Sequence, residues 1–252
     1  MNKIALTFLA HPDDAEILCG GTLIRLKEQG WEVHIATCTP GDCGTMTQTP
    51  WDISSVRTKE AKASADMLGA TYHCIDERDI FVVYDKPTLR KTIDLLRKIA
   101  PTLVFTHAAK DYMVDHEQAS LLARAASFAY GAPNASAVPL KSGSRIPYLY
   151  YCDPIEGLDP YGRLVGPTTV VEVTSQQEKK LAMLACHASQ RNWLIKHHGV
   201  DDYLRAMRDW SAQQGRAAGV GFAEGFRQHL GHSYPQDNPV CDLLGGIVRR
   251  GD

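Results

Sequence analysis

The sequence predicts an α/β protein: a mostly parallel sheet, doubly wound by helices on both faces, in a single domain. Three observations carry this. Short apolar runs alternate with longer helix-like segments through the first half. The first run, Ile4 to Ala10, is apolar at almost every position, as expected of a strand buried on both faces. No Ser/Gly/Pro-rich or strongly charged linker divides the 252 residues, a length sufficient for one large core.

The elements follow in order. After the strand at Ile4 to Ala10, Glu16 to Gln29 reads as a helix closed by Gly30. Val33 to Thr39 reads as a second strand and runs into the turn-forming Thr39-Pro40-Gly41-Asp42-Cys43-Gly44. The pattern predicts a helix over Ser54 to Leu68, with Ser54 as N-cap and Gly69 as its stop, then a short strand at Tyr72 to Ile75. A helix over Thr88 to Ile99, ended by Pro101, precedes a fourth strand at Leu103 to Thr106. A polar loop, His107 to Asp115, leads to a helix from His116 to Tyr130. Such alternation with right-handed crossovers builds a Rossmann-like sheet. The second half is less regular. Residues 131 to 147 read as a surface loop, and Tyr148 to Tyr151 and Thr169 to Val173 as strands. Helices are expected at Gln176 to Ser189, with Lys179 and Lys180 on a solvated side, and at Asp201 to Gln214. The tail after Gly231 has few periodic signals. The expected division is a core over about residues 1–190 with a helical and tail extension over about 191–252.

Composition narrows the function. A net charge of -2 with mixed signs gives no basic footprint for nucleic acid and no polybasic membrane patch. The apolar run before His11 is too short for a signal h-region or a membrane span. Seven cysteines without a C-x-x-C pair read as reduced thiols of a cytoplasmic protein.

The chemistry concentrates where the first strand ends. His11-Pro12-Asp13-Asp14 places one imidazole and two carboxylates at a strand terminus, where open α/β sheets bind ligands. A His and an Asp three residues apart can grip one divalent metal, leaving the other carboxylate for proton transfer. An isolated Asp pair there would cap the helix, but capping needs no imidazole upstream. The second element is Asp111-Tyr112-Met113-Val114-Asp115-His116, after the fourth strand. Neighbouring parallel strands would bring His116 to the site of His11 and Asp14, completing the three protein ligands of a catalytic zinc.

These residues resemble the LmbE-like (PIG-L) deacetylases, zinc enzymes that remove acyl groups, usually acetyl, from amino sugars or related amides. The resemblance rests on Ala10-His11-Pro12-Asp13-Asp14-Ala15-Glu16-Ile17, on the glycines that follow, and on Asp115-His116. It continues at Thr39 to Gly44, at Arg57 with Glu60, at Val104 to His107 and at His187-x-Ser189-Gln190. It implies His11, Asp14 and His116 as ligands of Zn2+ or another divalent metal, and Asp13 as general base. It implies a small N-acetylated amino sugar or glycoside as substrate and a homo-oligomer as the assembly. Asp115 is expected to fix a neighbouring imidazole. One departure stands out: the family often has H-P-D-H where this chain has Met113-Val114-Asp115-His116, and Met113 cannot donate a hydrogen bond. Tyr112, His107 and His187 are the candidates to substitute.

Further candidates are weaker. Arg57 reads either as a solvated helix arginine or as a guanidinium for a substrate hydroxyl or carboxylate. Asp42 and Asp79 read as loop acids or as hydroxyl-recognising groups, and the family pattern places His187 at the active-site rim as a substrate-binding residue. Gly20-Gly21 inside a helix costs about 2 kcal/mol against alanine, which a close approach to the sheet would explain. His197-His198 and His229-x-x-His232 lack carboxylate partners and read as surface residues, and Trp193 and Trp210 as core or interface residues. Two other readings compete with the deacetylase. A nucleotide-binding oxidoreductase lacks its glycine-rich turn, because His-Pro-Asp-Asp stands there. A catalytically altered metal-binding protein of the same fold is made conceivable by Met113.

Overall fold

The computed structural model describes residues 2–141, 143–192 and 202–248. An eight-stranded sheet forms the centre, in the order β3-β2-β1-β4-β5-β7-β6-β8. Its strands are β1 (Ile4–Leu9), β2 (Glu32–Thr37), β3 (Thr71–Cys74), β4 (Leu103–Thr106), β5 (Tyr148–Cys152), β6 (Thr169–Glu172), β7 (Ala223–Gln228) and β8 (Ile247–Val248). The first five strands in that order are parallel, and the last three pairings are antiparallel. Helices are α1 (Asp14–Glu28), α2 (Pro50–Leu68), α3 (Lys86–Ile99), α4 (Val114–Ala129), α5 (Gln177–Ala185), α6 (Asp202–Ala218) and α7 (Pro239–Leu244).

The apolar run of β1 serves both faces. Ala5 and Leu9 join a core with α1, α2 and α5, while Leu6 and Phe8 join a second core with α3 and α4. This is the physical meaning of a run without polar alternation. Helix starts differ from the sequence reading. The N-cap of α2 is Thr49, whose hydroxyl accepts from Asp52 N at 3.2 Å, with Pro50 in the first turn. Ser54 lies within the helix and donates to Pro50 O. The tail after Gly231 also holds structure, namely α7 and β8.

The largest departure is β7, which enters between β5 and β6. It was hidden in Ala-Glu-Gly-Phe-Arg-Gln because its buried face carries a charge. The Glu224 carboxylate accepts from Gly21 N and Thr22 N at 2.8 and 2.7 Å, inside α1, and pairs with Lys180 Nζ at 2.8 Å. Lys180 is therefore fully buried, not solvated, and also donates to Ser211 Oγ on α6. The glycine pair has its explanation here: a Cβ on Gly21 would lie 2.6 Å from Val173 Cβ, just past β6.

Asp153, at the end of β5, is buried with an unpartnered Oδ1, and its carboxyl packs beside Gly225 and the Gln214 side chain. Burial pushes its pKa up to about 7, against the pull of Arg227. The folded state then binds the extra proton between about pH 4 and 7, so stability falls as pH rises through that window. Asp153→Asn is expected to exceed the parent at pH 8, by at most about 4 kcal/mol, with the gap closing toward pH 4. Urea unfolding at both pH values measures it, and equal gaps would contradict it.

Candidate metal centre and active site

Strands β1 and β4 are parallel neighbours, with Thr7 opposite Phe105, so their carboxyl ends open side by side. The chain leaves β1 through His11 to Asp13 and enters α1 at Asp14. His11 N donates to Asp14 Oδ2 at 2.7 Å, which folds the motif so that both side chains face one point. His116 arrives on the first turn of α4. His11 Nδ1 stands 3.4 Å from Asp14 Oδ2, and His116 Nε2 stands 3.6 Å from Asp14 Oδ1. The three donor atoms lie within 4.8 Å of one another, all buried. Around a tetrahedral ion with bonds of about 2.0–2.2 Å, neighbouring donors are about 3.3–3.6 Å apart. The donor set and its spacing fit a divalent metal.

A ring of carboxylates orients the imidazoles. His11 Nε2 lies 3.0 Å from Asp79 Oδ1 and 3.4 Å from Asp115 Oδ2, and Asp115 also accepts from Ile80 N at 2.7 Å. Asp79, expected as a loop acid or hydroxyl reader, thus faces His11. His116 Nδ1 lies 2.9 Å from Asp111 Oδ1, so the acid beside its ring is Asp111 and not its chain neighbour Asp115. The Asp111 hydrogen bond fixes the His116 tautomer and raises its basicity as a ligand, and Asp79 and Asp115 stand within charge-pairing distance of His11. Burial alone would lower the His11 pKa, yet Asp115, Asp14 and Asp79 together hold it well above its ordinary value. Burial would raise Asp14, but His107, His116 and His11 keep its carboxyl well below the usual range. Asp14, Asp79, Asp111 and Asp115 gather around the two imidazoles, an acidic set that favours a bound cation.

Asp13 stands beside this cluster with different partners. It caps α1 at φ 104°, a left-handed conformation that costs about 1–3 kcal/mol for a residue with a side chain. Its Oδ2 accepts from Tyr203 Oη at 2.6 Å and lies 3.6 Å from Arg57 Nη2. Burial raises its pKa, opposed by the Arg57 guanidinium. Arg57 is buried, not solvated: it donates to Pro12 O at 2.8 Å and Gly41 O at 3.3 Å. Gly41, at φ 74°, leaves room for the guanidinium where no Cβ would fit. Tyr203, on α6, has no sequence signal because it sits 190 residues from its partner.

Two sequence expectations are corrected by position. Asp42 is buried outside the cavity, where Oδ2 accepts from Arg78 Nε at 2.6 Å and Oδ1 from Asp79 N at 2.8 Å. It braces the loop that carries Asp79, so it is not placed to read a substrate hydroxyl. His187 is fully buried and not on the rim; its Nε2 lies 3.3 Å from Glu16 Oε1, behind Asp13. Of the three substitutes named for the missing histidine, His107 is also fully buried. Its Nε2 accepts from Ala10 N, and burial with the nearby His116 charge pushes its pKa down to about 4, so at neutral pH it is an uncharged imidazole and not a general acid. Tyr112 alone of the three lines the cavity. Trp193, His197 and His198 lie outside the described residues. The cavity has a volume of about 650 Å³, with His11, Asp13, Asp14, Arg57, Asp79 and His116 among the groups that line it.

Comparison with known proteins agrees with this geometry. The family described as PIG-L, GlcNAc-PI de-N-acetylase, matches residues 6–127, which hold both elements of the site. The 4-oxalmesaconate hydratase of Pseudomonas putida is 30% identical over 229 residues, 86% of this chain and 83% of that protein. The chain belongs to the PIG-L family. Within PIG-L, the diacetylchitobiose deacetylase of Thermococcus kodakarensis is 28% identical over 242 residues, 89% of this chain and 82% of that protein. The structure of the N,N'-diacetylchitobiose deacetylase from Pyrococcus horikoshii superposes with a TM-score of 0.73 at 26% identity, covering 90% of this chain and 84% of that one. This PIG-L chain is an enzyme with the α/β fold of its relatives. Among the described residues, no helix is long and apolar enough to cross a membrane.

Proposed function

We propose that the protein is a metal-dependent hydrolase that removes an acyl group, typically acetyl, from the amide nitrogen of a small N-acylated substrate such as an amino sugar or glycoside. The observation that carries this is one arrangement: His11, Asp14 and His116 converge within 4.8 Å while Asp13, uncommitted to the cluster, faces the same cavity. Two imidazoles and a carboxylate suit zinc with one position left open. Bound there, the ion supplies Lewis acidity to a carbonyl oxygen and to water. Asp13 takes the proton of the attacking water and returns it to the leaving nitrogen, which departs as an amine. Tyr203 and Arg57 hold the Asp13 carboxylate in place, and Tyr112 offers a hydroxyl at the wall where Met113 has none. The seven free cysteines support a cytoplasmic location, and self-assembly into homo-oligomers belongs to the same reading.

One observation favours a second reading, hydration of a double bond. Met113 cannot protonate a leaving amine, and hydration has none to protonate. The cavity's charge weighs against it for a carboxylate substrate such as 4-oxalmesaconate. Arg57 is the one Arg or Lys on the described lining, and its guanidinium is engaged by Pro12, Gly41 and Asp13. Acetate release from a panel of N-acyl sugars by the metal-loaded protein tests the choice. Release that is lost on chelation and in His11→Ala is expected. Water addition to an unsaturated carboxylate, with every amide intact, would contradict it.

A further inference from the structure

The cavity floor gathers the charged groups His11, Asp13, Asp14, Arg57, Asp79 and His116. Above it, helix α6 presents Tyr203, Ala206, Met207 and Trp210 along one stripe, at the spacing of a single helix face. Tyr203 holds Asp13, and the next three form an apolar wall of the cavity that Ile80 and Met113 also line. The apolar character continues to the mouth. Ile80 and Tyr112 line the cavity yet are 62% and 66% exposed, and their chain neighbours Phe81 and Val114 are 64% and 67% exposed. Large apolar side chains left in water around a pocket mark a binding surface. The polar side chains above the floor are mostly engaged: Gln190 Nε2 donates to Gly44 O at 3.0 Å, and Tyr203 donates to Asp13. A sugar hydroxyl held against Ala206, Met207 and Trp210 would lose its water without gaining a partner, weakening binding by about tenfold or more. Methionines at 113 and 207 add a surface that adapts to a flexible chain.

We propose that the substrate is amphiphilic: the arm of the scissile amide that points toward the mouth carries an alkyl or aryl group, and free N-acetylated sugars are poor substrates. This rests on the hydrolase reading and narrows its substrate class. Two series test it with the metal-loaded protein. One holds the acetyl group and lengthens the aglycone of alkyl 2-acetamido-2-deoxyglucosides from methyl to octyl. The other lengthens the acyl group of N-acylglucosamines from acetyl to octanoyl. In one series kcat/KM is expected to rise about two- to fourfold per methylene until the wall is covered. The series that rises tells which arm faces the mouth. Equal turnover of short and long members in both would overturn the proposal. Alkyl hydroxamates of two, four and eight carbons, which anchor on a metal, give a readout independent of cleavage. Affinity rising with length is expected, and Ala206→Glu, which places a charge on the wall at an exposed position, should flatten the rise. Chain-length-dependent binding without hydrolysis of any amide would defeat the hydrolase reading and leave the apolar site standing. Flat affinity, or no binding at any length, would overturn the apolar site itself.

Discussion

Asp13→Asn lowers kcat by about 10²- to 10⁴-fold while the metal content of the protein stays unchanged. The reason is positional. Asp13 touches none of the three candidate ligands' donor cluster through its carboxylate; its contacts are Tyr203 Oη and the Arg57 guanidinium. Asn keeps the size and the acceptor for Tyr203 but cannot take a proton. The environment marks Asp13 as a base, because burial lifts its pKa toward working pH while Arg57 and His187 limit the rise. Its left-handed backbone points the same way: a residue kept at φ 104° against a cost of about 1–3 kcal/mol is held there by its surroundings. Steady-state kinetics with metal analysis on the same samples checks the prediction. Full activity in the Asn variant would remove Asp13 from the chemistry.

Glu224→Gln destabilises the fold by about 3–5 kcal/mol, which for a chain of this length is on the order of 10 °C in Tm. Glu224 and Lys180 are both almost wholly buried, and the carboxylate satisfies two amide protons in the middle of α1. Removing the negative charge leaves the buried Lys180 ammonium without a counterion, and the Gln NH2 cannot accept from the α1 amide that a carboxylate oxygen served. A buried charge without its counterion is far costlier than the intact pair is favourable. The double variant Lys180→Met, Glu224→Gln should therefore lose less than the sum of the single losses. The network also spans α1, α5, α6 and β7, so it ties the helix that begins at Asp14 to the helix that carries Tyr203. Thermal and urea unfolding of the single and double variants measure both effects. Strict additivity would mean that the pair contributes no coupling.

The parts of the site legible in the sequence are the local ones. His11, Asp13 and Asp14 share one turn, and β1 and β4 are short apolar runs whose adjacency follows from the Rossmann-like strand order. Asp111 could have been read more closely. Residues 115 and 116 point in different directions on a helix, so the acid that meets the His116 ring must come from elsewhere, and the preceding loop offers it. Tyr203 carried no such signal, since a helix of mixed charge and aromatic residues far along the chain does not announce which face it turns inward. Lys180 and Glu224 defeated pattern reading for a physical reason. Each looks solvated alone, and each is buried only because the other is present. The same pairing disguised β7, whose buried face would otherwise have read as an apolar alternation. Asp42 reads as a loop acid or a hydroxyl reader and the family pattern draws His187 to the rim, whereas the structure uses the first to brace a loop and places the second beside Glu16.

Metal analysis of the purified protein and its single variants tests the central claim most directly. One divalent ion per chain is expected in the parent and in Asp13→Asn, with loss of the ion in His11→Ala, Asp14→Ala and His116→Ala. An ion retained at full occupancy after His116→Ala, or a parent protein that binds none when zinc is supplied, would contradict the account.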